Sequence, residues 1–141
     1  MKILITGGCG FVGSNLCFYL KDKLKIKDLL IESVDNLKKK SSIINLRRLQ
    51  KKHIKNYKLD VSKESSLKKL KKYDLIIDCC AEPAVETSKK NPSKVLATNL
   101  VGTINTVEKA RRDNSKIIFI STSRVYPIKQ TYKYFKQGKN F

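Results

Sequence analysis

The sequence predicts an α/β fold, a doubly wound parallel sheet with helices on both faces. Five predicted strands, most of them short aliphatic runs, are separated by helical segments, as in parallel sheets that are covered on both sides. Glycines follow the first run directly, and an aspartate ends the second. We expect about five strands in the order 3-2-1-4-5, with the sheet truncated before the later strands of a complete fold of this kind.

Aliphatic runs and helical spacing place the elements along the chain. The strands are predicted at residues 2–6, 29–34, 54–59, 75–79 and 117–120. Ser62 is predicted as the N-cap of a short helix with Glu64 in its first turn. Two helices are predicted to bury apolar stripes, formed by Ile43, Ile44, Leu46 and Leu49 in one and by Val95, Leu96, Leu100, Ile104 and Val107 in the other.

The second of these helices has clear ends. Asn91 and Pro92 open it, since proline is well tolerated at the first helical position, and Arg111 and Arg112 close it favourably at the carbonyl end. Residues 1–126 are predicted to form one domain. Residues 127–141 are rich in lysine and aromatic residues, have no aliphatic stripe, and are predicted to be a disordered or frayed tail.

Composition restricts the class of protein. No stretch reaches the roughly 18 apolar residues of a membrane span, and no secretory signal opens the chain, so we expect a cytoplasmic protein with no membrane partner. The four cysteines lack the spacing of a zinc site or the density of a disulfide scaffold. We therefore expect reduced thiols that serve as packing residues, and no metal.

The net charge of +19 comes almost entirely from lysine. Arginine is scarce, whereas proteins that read nucleic acids favour its bidentate fork and interleave aromatic residues for stacking. We interpret the charge as a solvated, lysine-biased surface and expect no nucleic-acid partner. Nucleic-acid binding remains a weaker alternative.

A glycine-rich turn carries the predicted chemistry. Gly7, Gly10 and Gly13 have GxxGxxG spacing between a predicted strand and a predicted helix, where backbone N–H groups can approach a pyrophosphate. Asp35 ends the next strand, 22 residues after Gly13, close to the roughly 20 expected for a ribose-binding acid. The pattern indicates a Rossmann-type dinucleotide site. The Asp35 carboxylate favours NAD over NADP, although Lys38–Lys40 could supply a cation for a 2′-phosphate.

Six segments of residues 1–128 resemble the extended short-chain dehydrogenase/reductase family of NAD-dependent epimerases and dehydratases. They are TGGCGFVGSNL, DNL at Asp35, Asp60-Val61, CAEPAVETS, NLVGTIN and STSRVY. The last three look most like nucleotide-sugar epimerases of the CDP-paratose 2-epimerase type, which work through a transient keto-sugar with bound NAD. The resemblance implies a cofactor-binding set of Gly7, Gly10, Phe11, Val12, Gly13, Asp35, Asn36, Asp60, Val61, Cys80, Ala81, Glu82 and Asn99.

The resemblance also implies a substrate-binding turn at Ser121, Thr122 and Ser123, with Thr122 as a catalytic residue that donates a hydrogen bond to the reacting sugar hydroxyl. A Ser/Thr turn that satisfies its own backbone is the structural alternative. Asp60 could equally cap the turn that follows it.

The expected catalytic Tyr-x-x-x-Lys pair and the substrate domain are missing from this pattern. Tyr132 and Lys136 match the letters but follow Thr122 too closely, and we interpret them as coincidence. The chain is therefore expected to be an N-terminal fragment, and whether it is an enzyme by itself is left open. Its expected partners are a nucleotide-sugar substrate and a second copy or a complementing C-terminal chain. The alternative is a stand-alone, non-catalytic NAD-binding sensor or partner subunit.

A helix is also missing after the fifth predicted strand, so part of one sheet face lacks its cover. We expect apolar residues of 117–120 and 75–77 to be partly exposed for this reason.

Overall fold

The computed structural model describes residues 1–122, with the side chain of Val85 excepted. Its centre is a five-stranded sheet in which every neighbouring pair of strands is parallel. The order β3-β2-β1-β4-β5 confirms the prediction. The strands are β1 (Lys2–Thr6), β2 (Leu30–Asp35), β3 (Lys55–Lys58), β4 (Leu75–Asp78) and β5 (Lys116–Phe119).

Helices connect the strands and pack on both faces of the sheet. They are α1 (Phe11–Lys23), α2 (Lys40–Lys51), α3 (Glu64–Lys68), α4 (Val85–Lys90), α5 (Pro92–Leu96) and α6 (Gly102–Asp113). A π-helical segment, Ala97–Val101, joins α5 to α6 without a break in helical backbone. Asn91 caps α5 by accepting a hydrogen bond from the Lys94 N–H, as its position before proline predicts.

The two faces of the sheet carry separate apolar cores, because successive side chains of a strand point to opposite faces. On β1, Ile3 and Ile5 join the core that packs on α1 and α2, and Leu4 joins the core on the other face. Ile77 and Ile76 of β4 divide in the same way. The middle of the sheet, β2-β1-β4, is therefore covered on both sides, as expected for a doubly wound fold.

The predicted packing face of the helix from Pro92 to Asp113 is wrong. Its apolar stripe points outward: Leu96, Leu100 and Ile104 are 58%, 55% and 52% exposed. The buried face carries small and polar residues instead, because α6 approaches the loop after β3 so closely that a Cβ on Gly102 would lie 2.8 Å from the Val61 Cγ2. The buried residues of α6 are Gly102, Asn105, Thr106, Lys109 and Ala110.

Two smaller predictions also need correction. Ser62 does not cap α3: the N-cap is Lys63, and the Ser62 hydroxyl donates to the Asp60 carboxylate instead. In α2, Leu49 is buried as expected, but Ile43 and Ile44 are exposed.

The predicted exposure beside the fifth strand is correct for β5 and for the half-buried Leu75, and wrong for Ile76 and Ile77 of β4. Ile118 and Phe119 are about half exposed, whereas Ile76 and Ile77 are buried. The β4 strand lies between β1 and β5, and both of its faces are covered by the two cores.

Several predictions fall outside the described residues. The tail 127–141, Ser123, Tyr132 and Lys136 all lie beyond residue 122. Within residues 1–122, no helix has the length and apolar character needed to cross a membrane.

Candidate functional site

A cleft opens at the carboxyl ends of the strands, where the chain leaves β1 and β4 in opposite directions. In open α/β sheets this switch point is where ligands bind. The cleft is lined by the glycine turn after β1, the ends of β2 and β3, the loop after β4, and α5 with the start of the π-helical segment. Of the predicted cofactor residues, those in the lining are Gly7, Gly10, Asp35, Asn36, Asp60, Val61, Cys80, Ala81 and Glu82.

The first turn of the cleft needs glycine at its first position. Gly7 has a φ of +63°, a conformation that residues with a side chain rarely adopt. A Cβ there would also lie 2.8 Å from the carbonyl oxygen of Cys79, so the ends of β1 and β4 approach each other by backbone alone. Gly10 is different, because its Cβ would meet only the Gly7 carbonyl oxygen, at 3.1 Å.

The amino end of α1 faces this turn and no side chain caps it. Its N-cap is Gly10, which offers no side-chain acceptor for the N–H groups of the first turn. Such an end attracts anions through its N–H groups and the helix dipole. Phe11 and Val12 occupy the first turn with exposed side chains, and Gly13 packs so tightly that its Cβ would lie 2.3 Å from the Gly7 carbonyl oxygen.

Asp35 at the end of β2 is fixed by backbone donors. Its Oδ2 accepts from the Cys9 N–H at 3.1 Å and its Oδ1 accepts from the Leu37 N–H at 2.8 Å. A carboxylate oxygen can accept more than one hydrogen bond, so both oxygens still have lone pairs for hydroxyl donors of a ligand. The carboxylate therefore holds the glycine turn and lines the cleft at the same time.

Asp60 caps the turn that follows it, as one of its two interpretations predicts. It also lines the cleft after β3, and its cofactor-binding role stays a prediction. Its Oδ1 accepts from the Ser62 hydroxyl at 2.7 Å, and its Oδ2 lies 2.9 Å from the Lys38 Nζ. Burial raises the pKa of Asp60, but the hydrogen bonds from Lys38 and Ser62 outweigh it and lower that pKa to about 2. Asn36 reaches the same carboxylate at 3.4 Å.

Glu82 belongs to the loop after β4, and Asn99 holds this loop in place. The Asn99 side chain accepts from the Glu82 N–H at 2.7 Å and donates to the Glu82 carbonyl oxygen at 3.2 Å. Asn99 lies in the π-helical segment, a feature that is frequent at functional sites. Its amide therefore holds the loop that lines the cleft, and the cofactor-binding role that the resemblance implies for Asn99 stays a prediction.

The thiols beside the cleft are poor nucleophiles. Burial raises the pKa of Cys80 to about 12 and that of Cys79 to about 11, and Cys9 is shifted in the same direction. These values favour the predicted packing role. Within residues 1–122, no group of three or more histidine, cysteine or acidic side chains could hold a metal ion.

Ser121 and Thr122 follow β5 at the same edge of the sheet as the cleft. The Ile120 N–H donates to the Asp78 carbonyl oxygen, so the strand pairing continues up to these residues. Both are exposed. Ser121 and Thr122, the described part of the predicted substrate turn, thus follow β5 where the loop that carries Cys80 and Glu82 follows the neighbouring β4.

Lys94 and Asn45 escaped prediction. Lys94 lines the cleft together with Lys39 of the predicted group Lys38–Lys40, and the Asn45 side chain of α2 donates to the Cys9 carbonyl oxygen at 3.1 Å, which fixes the glycine turn. Nothing distinguishes Lys94 from the many other lysines in the sequence. Asn45 carried a weak signal, since asparagine is a mediocre helix former and lies here inside a helix.

Comparisons with known proteins agree with this geometry. Residues 3–139 match the model of the NAD dependent epimerase/dehydratase family. The chain is similar to CDP-paratose 2-epimerase of Salmonella typhi, with 37% identity over 95% of this chain and 40% of that protein.

Solved structures show the same fold. The UDP-Glc/GlcNAc 4-epimerase from Campylobacter jejuni is 34% identical with a TM-score of 0.74, over 89% of this chain and 38% of that one. UDP-glucose 4-epimerase from Bifidobacterium longum, in complex with NAD+ and UDP, is 28% identical with a TM-score of 0.75 over the same shares. The chain therefore spans about 40% of the length of these relatives.

Proposed function

Since the chain belongs to the NAD dependent epimerase/dehydratase family, we propose that it is the NAD-binding, N-terminal part of a nucleotide-sugar epimerase or dehydratase. The observation that carries the proposal is the hydrogen bond from the Cys9 N–H of the glycine turn to the Asp35 carboxylate, beside the uncapped end of α1. The residues present fit a dinucleotide, because the uncapped N–H groups suit a pyrophosphate and Asp35 lies where an adenosine ribose would follow.

Each side of the cleft has a part in this proposal. Gly10, Phe11 and Val12 present the helix end to the pyrophosphate, with Gly7 and Gly13 shaping the turn. Asp35 and Asn36 accept the ribose, and Asp60 and Val61 border the adenine. Cys80, Ala81 and Glu82 line the nicotinamide side, supported by Asn99.

NAD supplies a hydride acceptor, so that a sugar hydroxyl can become a transient keto group and be reduced again after inversion or elimination. Thr122 hydrogen-bonds the reacting hydroxyl, with Ser121 and Ser123 beside it. An unassisted threonine hydroxyl cannot remove that proton at neutral pH. A base other than Thr122 is therefore needed.

The cofactor preference tests this proposal. We expect the chain to bind NAD at least tenfold more tightly than NADP, because Asp35 accepts ribose hydroxyls and repels a 2′-phosphate. Calorimetric titration of both dinucleotides measures the ratio. Equal or tighter binding of NADP would contradict the assigned role of Asp35, and absence of binding to either would contradict the function.

The second candidate is a stand-alone NAD-binding sensor or partner subunit. The exposed aliphatic residues of β5 favour a partner subunit, since they offer an apolar surface to another chain. A nucleotide-sugar turnover assay on the protein joined to the downstream reading frame separates the two. Turnover supports the enzyme, whereas NAD binding without turnover supports the sensor. A cytoplasmic location remains a prediction.

We also propose that the outward stripe of the helix from Pro92 to Asp113 is a homodimer surface. Leu96, Leu100 and Ile104 follow one another along it, and each is more than half exposed. A twofold axis places the same stripe of a second copy against it, which buries both without any other partner. A complementing chain is the competing occupant.

Substitution of Leu100 tests the dimer. We expect the purified chain to sediment as a dimer and Leu100→Lys to sediment as a folded monomer, because the side chain is exposed and charge is unfavourable in an apolar interface. Ser41→Lys, exposed on α2, is the control and should leave the dimer intact. A monomeric parent chain, or a dimer that survives Leu100→Lys, would contradict this surface.

A further inference from the structure

The Glu82 side chain joins the two walls of the cleft. Its Oε1 lies 3.3 Å from the Nζ of Lys39, which immediately precedes α2, and its Oε2 lies 3.8 Å from the Nζ of Lys94 in α5. The carboxylate is 9% exposed, whereas both lysines are about half exposed. The acid is thus the fixed partner, and the two lysines reach it from solvent.

Both lysines that closely follow Asp35 and line the cleft have acidic partners. Lys38 pairs with Asp60, and Lys39 pairs with Glu82. The charges along the lining are balanced, with lysines 38, 39 and 94 facing acids 35, 60 and 82. This balance contrasts with the net charge of +19 of the whole chain.

A cation beside the ribose-binding acid is what lets a site of this type accept a 2′-phosphate. Lys39 lies only four positions after Asp35 and could reach such a group if its ammonium were released. We propose that Glu82 is a selectivity residue: by holding Lys39, it withholds the cation that would neutralise the 2′-phosphate of NADP. The inference rests on the proposed dinucleotide binding and adds a second determinant to the repulsion by Asp35.

Glu82 allows a clean test because its backbone and its side chain are held by different groups. Asn99 fixes the N–H and the carbonyl oxygen of Glu82, so the loop keeps its position when the carboxylate is changed. Asp60 is less suitable, since its carboxylate also holds the Ser62 turn. Glu82→Gln keeps the shape of the side chain and removes its charge.

The experiment measures the ratio of the dissociation constants of NADP and NAD by calorimetry in the full chain. We expect Glu82→Gln to lower this ratio about tenfold, the scale of one charge-assisted hydrogen bond to a phosphate. Glu82→Ala should lower it as well. The double variant Glu82→Gln/Lys39→Met should return the ratio to the parent value, whereas Glu82→Gln/Lys94→Met should keep the lowered ratio.

The fragments 2′,5′-ADP and 5′-AMP give the same comparison without the nicotinamide half, so a shift in both pairs locates the effect at the 2′-phosphate. An unchanged ratio in Glu82→Gln and Glu82→Ala would overturn the proposal. A lowered ratio that persists in Glu82→Gln/Lys39→Met would also overturn it. If the parent chain binds NAD and these ratios do not change, only the selectivity role of Glu82 is contradicted. If the parent chain binds no dinucleotide, the proposed function is contradicted as well.

Discussion

Replacement of Gly10 with valine is expected to abolish NAD binding in a chain that still folds. Gly10 has extended backbone, with φ −75° and ψ 177°, which valine adopts readily. The nearest atom to an added Cβ is the Gly7 carbonyl oxygen, at 3.1 Å, and the residue borders the cleft. The valine methyl groups would therefore occupy the path of the pyrophosphate to the end of α1.

The expected loss of affinity is at least about 100-fold, or roughly 2.7 kcal/mol. Calorimetric titration with NAD measures it, and circular dichroism with thermal melting shows that the variant is folded. Gly13→Val is the contrasting change: its Cβ would lie 2.3 Å from the Gly7 carbonyl oxygen, so this variant should fail to fold. Unchanged NAD affinity in folded Gly10→Val would show that the glycine loop is only a turn.

Loss of the Asp113 carboxylate is expected to destabilise the fold by about 3 kcal/mol. Asp113 lies 2.5 Å from the Nζ of Lys109, whose side chain is only 3% exposed. The same ammonium donates to the Lys71 carbonyl oxygen at 2.8 Å and lies 5.5 Å from the centre of the Tyr73 ring. Asp113→Ala leaves this buried cation without a counter-charge and removes the acceptor of the Tyr73 N–H.

Urea unfolding measures the change in stability. The matched control is Glu108→Ala on the same helix, which removes an ion pair with Arg111 that is largely exposed to solvent. Its effect should be several times smaller, because water screens and replaces such a pair. If the two variants lose equal stability, the buried Lys109–Asp113 pair stabilises the fold no more than the exposed pair does, and the prediction is wrong.

Much of the fold could be predicted because parallel strands buried on both faces have a simple signature. The runs Ile3–Ile5 in β1 and Leu75–Ile77 in β4 are wholly aliphatic, and the order 3-2-1-4-5 is usual for the Rossmann-type fold that the glycine turn indicates. The packing face of α6 could not be predicted in this way. Periodicity shows that a helix has two faces, but closeness to Val61 decides that the small, polar face of Gly102 and Asn105 lies inward.

The residues of the candidate site also divide into those that local sequence patterns predict and those that only the fold brings together. Gly7, Gly10 and Asp35 could be predicted because their spacing reflects local backbone needs of one turn and one strand end. Lys39 and Glu82 are 43 residues apart, and only the fold brings them together. A contact of this kind leaves no local pattern, so its charge balance becomes visible only in three dimensions.

The widened turn at Ala97–Val101 has a consequence for helical phase. The Gly102 N–H donates to the carbonyl oxygen of Ala97, five residues earlier, so this turn holds one residue more than an ordinary one. Steps of four residues overshoot an α-helical turn of 3.6, and the extra residue absorbs the overshoot between Leu96 and Leu100. Asn99 can then point toward the loop of Glu82 while Leu96, Leu100 and Ile104 stay exposed. In a homologue that lacks the bulge, we expect a one-residue gap beside Asn99 when the two chains are aligned.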